Sequence, residues 1–329
     1  MSLDQAKYIW MNGAVIDWKD ATVHLSSHAL HYGSGVFEGI RCYETGNGPS
    51  LFRLDAHLER LFYSAETHGI VIPYSPAEIE TAVRETIRRN RFSDCYVRPI
   101  CFLGSRVLSL HPRDCPVNVV VLAWPWGAYL GQEAAERGVR VTVSPWVKFH
   151  SSMMPATAKA CGQYLNSTLA VRDAAARGYD EALLQDADGN IAEGSGENLF
   201  VVKDRVVITN DERSSILMGI TRDSVVEIAR DLGYKIEVGA ISLRDLLSAD
   251  EAFLTGTAAE VTHIREVDGT TMGDGARGPV TALIQEMFFA ATRGREPRYR
   301  RWLRGVDGDA ASANAEDDPL TPRERVCPA

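Results

Sequence analysis

The 329-residue sequence contains little lysine, no CxxC pair and no long apolar run. Six of its 35 basic residues are lysines, at positions 7, 19, 148, 159, 203 and 235, so a reaction that needs a free amine has only six candidates. The longest apolar stretch, 117–126, is interrupted by Asn118 and Pro125 and is too short to span a bilayer. The first residues have neither the positive nor the apolar region of a signal peptide. These absences predict a cytoplasmic protein without a membrane segment.

Charge and cysteine usage exclude further classes of protein. The net charge of −9 argues against a nucleic-acid partner or an anionic membrane. Six acidic and two basic side chains lie in 305–329, a segment without apolar periodicity, which we predict to be a disordered acidic tail. The six cysteines have no regular spacing and are expected to be reduced thiols.

Strand and helix signals predict two domains of the α+β class. The first domain, 1–127, has a hairpin turn at Asn12-Gly13, strands at 36–43, 96–103 and 118–123, and helices that begin near Asp55, as a cap, and at Pro76. An interdomain loop, 128–138, follows. The second domain, 139–304, mixes strands with helices. Its predicted strands are 139–144, 181–185, 198–202, 205–209, 252–255 and 260–267, and its helices are 162–176, 221–232 and 279–291.

Lys159 is the lysine with the most unusual surroundings. Small residues stand on both sides of it in the segment 155–162, between a proline and a glycine. Such a segment lets other groups approach the backbone, and a buried amine loses its proton easily. A lysine that forms a Schiff base needs both properties. Most lysines are simply solvated, so this segment alone is weak evidence.

Glu193 opens a glycine-rich turn, 193–197, that leads into a strand. A carboxylate fixed in this way can keep the nitrogen of a pyridine ring protonated, which makes the ring an electron sink. The alternative interpretation is a plain hairpin with solvated acids.

Two segments have the character of phosphate sites. The helix that begins after Gly219 offers unpaired amides and the Thr221 hydroxyl, and the turn 255–259 offers a second set of amides and hydroxyls. Arg60, on the first helix, could supply a charge that closes on a phosphate. The alternatives are an ordinary helix start, a tight turn and a solvated arginine.

Other patterns do not satisfy their motifs. The segment 273–278 matches GxGxxG, but 270–272 before it is no buried strand, so we interpret it as a loop rather than a dinucleotide site. His24, His28 and His31 lack co-ligands at a zinc spacing, and we predict no metal site. The sequence also lacks Walker A, GxSxG and HExxH motifs.

An amine, a ring-nitrogen carboxylate, a phosphate site at a helix start and an arginine together specify pyridoxal 5′-phosphate (PLP). With these features in this order, the sequence resembles a known family, the class IV aminotransferases of PLP fold type IV, and most closely the branched-chain amino-acid aminotransferases. The resemblance extends from about Ile9 to about Gly294. It depends on ordered motifs at 31–41, 57–61, 96–99, 126–131, 158–160, 193–200, 219–222 and 256–260. It implies a two-domain fold like that of D-amino-acid aminotransferase, with the active site between a smaller N-terminal and a larger C-terminal domain.

The resemblance also implies the residues that contact the cofactor. Lys159 would form the Schiff base and move the proton during catalysis, and Glu193 would pair with the ring nitrogen. Tyr164 would hydrogen-bond the phenolic oxygen, and Leu217 would pack on the ring face. The phosphate would be held by the remaining residues of this set: Arg60, Gly219, Ile220, Thr221, Gly256 and Thr257.

For the substrate, the resemblance implies one pocket with two tasks. Tyr96 and the amides of Thr257 and Ala258 would bind the α-carboxylate. Arg98 would accept the second carboxylate of glutamate from the rim of an apolar pocket, bridged by tyrosine hydroxyls. The other residues of this pocket would be Tyr32, Phe37, Gly39 and Tyr129.

The sequence departs from the family pattern in the loop 107–112. Ser109 stands where the family usually has glycine, which puts the fine substrate preference in doubt. Leu110 matches a position that in the family reaches into the partner subunit's active site. The resemblance thus implies a homodimer or a larger homo-oligomer.

The expected activity is transamination between leucine, isoleucine or valine and 2-oxoglutarate. Within the family, the alternatives are a D-amino-acid transaminase and a lyase of the aminodeoxychorismate type, neither of which should need Arg98 with Tyr96. A non-catalytic PLP carrier is a further alternative, but a carrier has no use for a second anion site.

Overall fold

The computed structural model describes residues 6–126 and 137–308. Within them the chain forms two β-sheets, each covered by helices. Tyr129, most of the expected interdomain loop 128–138 and the expected tail beyond residue 308 lie outside the described residues. The mixture of sheets and separate helices confirms the predicted α+β class.

The first sheet consists of β1 Tyr8–Met11, β2 Ala14–Asp17, β3 Gly35–Phe37, β4 Ile40–Thr45, β5 Gly48–Phe52, β6 Cys95–Leu103, β7 Val117–Pro125 and β17 Leu303–Gly305. These eight strands lie in the order β17-β5-β4-β6-β7-β1-β2 with β3 beside β6, and their pairings are antiparallel. The predicted hairpin at Asn12-Gly13 joins β1 to β2, and both residues have a positive φ, as such a tight turn requires.

Three helices belong to this first half: α1 His28–Tyr32, α2 Leu54–Thr67 and α3 Pro76–Asn90. Apolar residues at helical spacing, such as Leu54, Leu58 and Leu61 of α2, pack with Ile79 and Val83 of α3 into one core. Helix α3 begins with a complete capping box between Ser75 and Glu78.

The second sheet consists of β8 Val139–Val143, β9 Glu181–Gln185, β10 Ile191–Gly194, β11 Asn198–Lys203, β12 Val206–Thr209, β13 Lys235–Val238, β14 Glu251–Gly256, β15 Glu260–Val267 and β16 Thr270–Thr271. These nine strands lie in the order β10-β9-β8-β15-β14-β11-β12-β13 with β16 beside β15. Because β10 pairs with both β9 and β11, six of the strands close into a ring. The pairing Glu193↔Asn198 makes the closure and thereby fixes the carboxylate predicted at the ring nitrogen.

Within the described residues, four helices accompany the second sheet: α4 Tyr164–Ala176, α5 Ile220–Asp231, α6 Leu243–Leu247 and α7 Pro279–Thr292. Helices α5 and α7 pack against it through Ile228 and Phe288, in a core that also contains Tyr43 and Phe52 of the first sheet. Strand residues alternate in direction, so Leu199 and Val201 belong to a separate core on the other side.

A short bridge connects the two halves at the predicted lysine. The amide of Phe37 donates to the carbonyl of Lys159 at 3.1 Å, and Val36 pairs with Ala160. The amide of Lys159 in turn donates to Ser64 Oγ of α2 at 2.9 Å. Backbone from both halves therefore holds the segment on which Lys159 lies.

Two expectations about the first half were wrong. Asp55 does not cap α2: the N-cap is Arg53, in the left-handed region at φ 53°, and Asp55 instead pairs with Arg304. The expected strand 36–43 is divided into β3 and β4 at Glu38 and Gly39, opposite Pro99 of β6, which accepts a hydrogen bond from the Glu38 amide but has no N–H to return.

The expected start of the acidic tail at residue 305 was also wrong. Strand β17 pairs with β5, and Val306 is buried in the core of the first half, so the chain returns to the first sheet after α7. The division at 128–138 remains a prediction. We propose it because, apart from β17, the strands of the first sheet all precede that segment in the sequence and the strands of the second sheet all follow it.

The described residues can be checked for membrane-spanning helices, metal sites and disulfides. None of their helices is long and apolar enough to cross a membrane. No group of three His, Cys, Asp or Glu side chains in the described ranges is arranged to hold a metal ion. Five described cysteines are free thiols, at positions 42, 95, 101, 115 and 161.

Candidate active site

Lys159 projects into a cavity between the two halves of the chain. Its neighbours Ala158 and Ala160 are buried, and its Nζ donates to Tyr164 Oη at 2.5 Å. The amine also lies 5.0 Å from the ring centroid of Phe37. As the sequence indicated, the small flanking residues allow close approach. Lys159 lies between the rings of Phe37 and Tyr164, and its backbone packs directly on the strand that contains Phe37.

The surroundings of Lys159 favour its neutral form. Burial, reinforced by the positive charge of Arg60, lowers the pKa of the amine to about 8 from an ordinary value of 10.5. Burial also raises the pKa of the Tyr164 phenol, so Tyr164 stays protonated near neutral pH. An amine that is partly neutral near neutral pH can act as a nucleophile.

Glu193 is fixed by three donors at one end of the cavity. Its Oε1 pairs with Lys148 Nζ at 2.5 Å. Its Oε2 accepts hydrogen bonds from Asn198 Nδ2 at 3.2 Å and from the amide of Leu217 at 3.1 Å. The carboxylate is therefore buried in one orientation, as a group that holds a ring nitrogen must be.

The N-terminus of α5 also opens onto the cavity. The first amides of a helix have no acceptor within the helix and carry a partial positive charge, so Ile220 and Thr221 present an anion site. The helix start lies close against Asn198, since a Cβ on Gly219 would stand 2.0 Å from Asn198 Oδ1. Only glycine fits at that position.

Arg60 completes this end as a fixed rather than a mobile charge. Its Nε and Nη2 donate to the two oxygens of Glu38 at 2.6 and 2.9 Å, and its Nη1 donates to the carbonyl of Met218 at 3.1 Å. Glu38 is fully buried and also accepts from His57 Nδ1 at 2.7 Å. Burial opposes ionisation of Glu38, but the charge of Arg60 and the hydrogen bonds from Arg60 and His57 hold its pKa well below the ordinary value. Burial lowers the pKa of His57 itself. The outer edge of the Arg60 guanidinium stays available to an anion.

A second cation, Arg98, lies among aromatic rings beside the cavity. Its guanidinium carbon is 4.7 Å from the centroid of Phe37 and 5.3 Å from that of Tyr96, and Nη2 donates to Tyr96 Oη at 3.2 Å. Among the described residues, no carboxylate forms an ion pair with Arg98, and its Nε is buried without a partner. Gly39 is needed here because a Cβ would lie 1.8 Å from Tyr96 Oη.

The structure brings together all ten residues predicted to contact the cofactor. They line one cavity: Arg60, Lys159, Tyr164, Glu193, Leu217, Gly219, Ile220, Thr221, Gly256 and Thr257. Of the predicted substrate residues, Phe37, Gly39, Tyr96 and Arg98 form the adjoining cluster. Ala258 follows Thr257 in the same loop.

Tyr32, a predicted substrate residue, has no contact with this cluster among the described residues. Tyr32 is half-exposed at the end of α1, and its ring packs on His28 at 4.5 Å. Tyr129, the other predicted tyrosine of the rim, lies outside the described residues. The roles of both stay predictions.

Sequence reasoning missed several residues that shape the cavity. Lys148, Asn198 and Glu38 all contact a predicted site residue directly. Glu197 lines the cavity as well, and burial together with Glu181 raises the pKa of its carboxyl well above the ordinary value. Glu38 could have been noticed as a charged residue within the apolar segment 36–43. Lys148 could have been noticed because the sequence contains so few lysines.

Comparison with known families identifies the class of protein that this site belongs to. The family model for amino-transferase class IV matches residues 35–267, which is more than half of the chain. The chain belongs to the class IV aminotransferases.

Within that class, the chain is similar to branched-chain-amino-acid aminotransferases over nearly its whole length. It is 44% identical to the enzyme of that name from Pseudomonas aeruginosa, over 91% of this chain and 97% of the relative. It is also 44% identical to the enzyme from Escherichia coli K12, over 93% of this chain and all of the relative. The resemblance inferred from the motifs is confirmed.

Solved structures of such enzymes share the fold. The Escherichia coli branched-chain amino acid aminotransferase superposes with a TM-score of 0.90 at 44% identity, and the match covers 92% of this chain and 99% of that one. Another branched-chain amino acid aminotransferase, solved with pyridoxamine 5′-phosphate, gives a TM-score of 0.89 at 48% identity over the same shares. The two-domain fold expected from the resemblance is therefore the fold of these aminotransferases.

Proposed function

We propose that this protein is a PLP-dependent branched-chain amino-acid transaminase. It transfers the amino group of leucine, isoleucine or valine to 2-oxoglutarate, and gives the branched-chain 2-oxo acid and L-glutamate. The observation that carries the proposal is the single cavity in which Lys159, Glu193 and the helix start at Gly219 face one another. Those three groups match the aldehyde, the ring nitrogen and the phosphate of PLP.

The residues present fit this cofactor. An anion at the N-terminus of α5 satisfies the first amides of that helix and faces the open edge of Arg60. The hydroxyl of Thr255, which lines the same cavity, is buried without a hydrogen-bond partner and gains one from a bound ligand. The buried carboxylate of Glu193 needs a further donor of the kind that a protonated ring nitrogen supplies.

When bound, PLP supplies the electron sink that weakens the bonds at the α-carbon of an amino acid. The chain's own residues do the rest. Lys159, with its lowered pKa, would hold the cofactor through its amine, and the same amine is placed to take and return the proton of the substrate α-carbon. Tyr164 keeps the amine in place through the hydrogen bond at 2.5 Å.

Substrate recognition follows from the cluster beside the cavity. Tyr96 and the loop at Thr257 and Ala258 bind the α-carboxylate, and the rings around Phe37 accept an aliphatic side chain. Arg98 binds the second carboxylate of glutamate, since it has planar donors and no carboxylate of its own. One pocket then serves donor and acceptor in turn.

We further propose a homodimer, or a multiple of it, in the cytoplasm. Several large apolar side chains are well exposed in the single chain and would be covered by a second copy: Leu25, Leu30, Leu110, Met153 and Leu165. The free thiols agree with a reducing compartment. Substrates are small molecules, and no nucleic acid or membrane takes part.

The alternatives within the family are a D-amino-acid transaminase and a lyase of the aminodeoxychorismate type. Both would use Lys159 and Glu193, but neither accounts for Arg98 packed against Tyr96. A PLP carrier would not need a second anion site at all.

The cofactor chemistry is tested with purified enzyme. We expect a visible absorption band on reconstitution with PLP, and loss of both this band and the activity in Lys159→Ala. Lys203→Met, which removes a surface lysine, serves as the control with unchanged activity. Full activity in Lys159→Ala, or no band in the wild type, would contradict the proposal.

A further inference from the structure

Two of the six lysines line the cavity, and the second, Lys148, has no assigned role. It stands in the segment between β8 and Lys159, where its amide donates to the carbonyl of Gln185 at 2.8 Å. Its side chain is 10% exposed and that of its partner Glu193 is 7% exposed. The two charges thus form a buried pair in the wall of the cavity.

The hydrogen bonds of Glu193 leave only one place for a further donor. Each carboxylate oxygen has two lone pairs. Oε2 already accepts from Asn198 and from the amide of Leu217, whereas Lys148 is the one donor to Oε1 among the described residues. A donor that enters from the cavity must therefore share Oε1 with the ammonium group of Lys148.

Lys148 also acts on the far side of the ring site. Its positive charge is one of the influences that lower the pKa of the Tyr164 phenol, against the larger effect of burial. Tyr164 in turn accepts the hydrogen bond from Lys159. The charge of Lys148 consequently lies beside both groups that would contact the cofactor ring, at the nitrogen and at the phenolic oxygen.

We propose that Lys148 is a positioning residue for the cofactor ring, which holds Glu193 against the ring nitrogen and keeps a positive charge at that end of the site. The inference rests on the proposed function, because it takes Glu193 as the partner of the ring nitrogen. A purely structural ion pair is the alternative, since removal of one partner of any buried pair is destabilising.

The electrostatic effect distinguishes these two roles. A nearby cation lowers the pKa of a protonated imine, so removal of the Lys148 charge should raise the pKa of the linkage between Lys159 and the cofactor. The other titratable groups around this linkage stay in place in such a variant. They are Glu38, His57, Arg60, Tyr96, Arg98 and Glu197 around Lys159, and Glu193 beside Tyr164.

The experiment is a pH titration of the visible absorption band of the PLP-loaded enzyme. In Lys148→Met, we expect the midpoint to rise by about one pH unit, because a cation has been removed. Lys148→Gln, which keeps a donor for Glu193, should show the same rise. Lys148→Arg should titrate like the wild type, because it restores the charge.

A matched control separates charge from stability. Lys203 also pairs with a carboxylate, Asp250 at 3.0 Å, but on the surface, so Lys203→Met should leave the midpoint unmoved. Wild-type midpoints in both neutral variants at position 148, with only a lower melting temperature, would overturn the inference and leave the proposed function standing. A wild-type enzyme without a visible band would instead contradict the proposed function itself.

Discussion

At the scale of single residues, the proposed chemistry depends on the amine of Lys159, which loses its proton unusually easily. Lys159 is surrounded by buried alanines, two aromatic rings and the charge of Arg60, and burial and that charge both disfavour the ammonium form. The opposing carboxylate, Glu38, is already paired with Arg60 and hydrogen-bonded to His57. Reactivity here arises from burial without a dedicated carboxylate partner.

This environment predicts how cofactor capture depends on pH. Only the neutral amine attacks the aldehyde, so the rate constant for PLP binding to the apoenzyme should rise with pH and level off above a pH of about 8. Stopped-flow absorbance measures that rate. A rate that keeps rising toward the ordinary lysine value of 10.5 would show that the amine is not perturbed.

Arg98 gives a second prediction at this scale. In Arg98→Met, which keeps most of the aliphatic bulk, kcat/KM for glutamate should fall by about 10- to 100-fold, the usual worth of a hydrogen bond to a charged group. The value for leucine should change by much less, because leucine has no second carboxylate. Arg98→Lys retains the charge without the planar fork and should lie between. Equal losses for glutamate and leucine would refute the dual use of the pocket.

The sequence was most informative where a residue type has few uses. Lys159 and Glu193 were predicted because a lysine among small residues and a carboxylate on a glycine-rich turn, each weak evidence alone, occur together with the other motifs of the family. Glu38 and Lys148 were not, because their importance comes from partners that are distant in sequence: 22 residues separate Glu38 from Arg60, and 45 separate Lys148 from Glu193. Only the folded chain brings such pairs together.

At the scale of elements, local signals placed most helices and strands but not every helix start. The prediction that a helix begins at Pro76 is confirmed by α3. Asp55 was a plausible cap for α2, yet the chain enters that helix through Arg53 in the left-handed region, where the guanidinium reaches Asp223 at 2.7 Å. A contact between the two halves decided this helix start, and no local pattern reports such a contact.

The two helix starts predict different costs of substitution. Ser75→Ala removes one side of a complete capping box, so the free energy of unfolding should fall by about 1 kcal/mol. Asp55→Ala should change it by much less, because Asp55 forms only an exposed ion pair with Arg304. Chemical denaturation of both variants under identical conditions makes the comparison. A larger loss in the Asp55 variant would restore the capping role that the structure denies it.

At the scale of the whole molecule, the active site is a product of two sheets and the contacts between them. The ring of six strands fixes Glu193, the first sheet supplies Phe37 and Tyr96, and the bridge from Val36 to Ala160 holds Lys159 between them. The α+β class could be predicted from alternating patterns along the chain. The return of the chain to the first sheet through β17 could not, since three residues in a polar stretch give no strand signal.

At this scale, the net charge of the molecule and the local charge of its site have opposite signs. Net charge is −9 overall, yet the proposed site binds anions through Arg60, Arg98 and the amides of α5. Local donors in a cavity therefore decide what binds, while the overall charge acts on solubility and on non-specific partners.

The measurement that tests the central claim most directly is a comparison of amino donors. Purified, PLP-loaded enzyme is given L-leucine or D-alanine with 2-oxoglutarate, and both enantiomers of glutamate are measured as products. We predict that kcat/KM for L-leucine exceeds that for D-alanine by more than about 100-fold, since the pocket that binds the aliphatic side chain and the α-carboxylate fits only one hand of the substrate. A preference for D-alanine, or no formation of L-glutamate from L-leucine, would contradict the account.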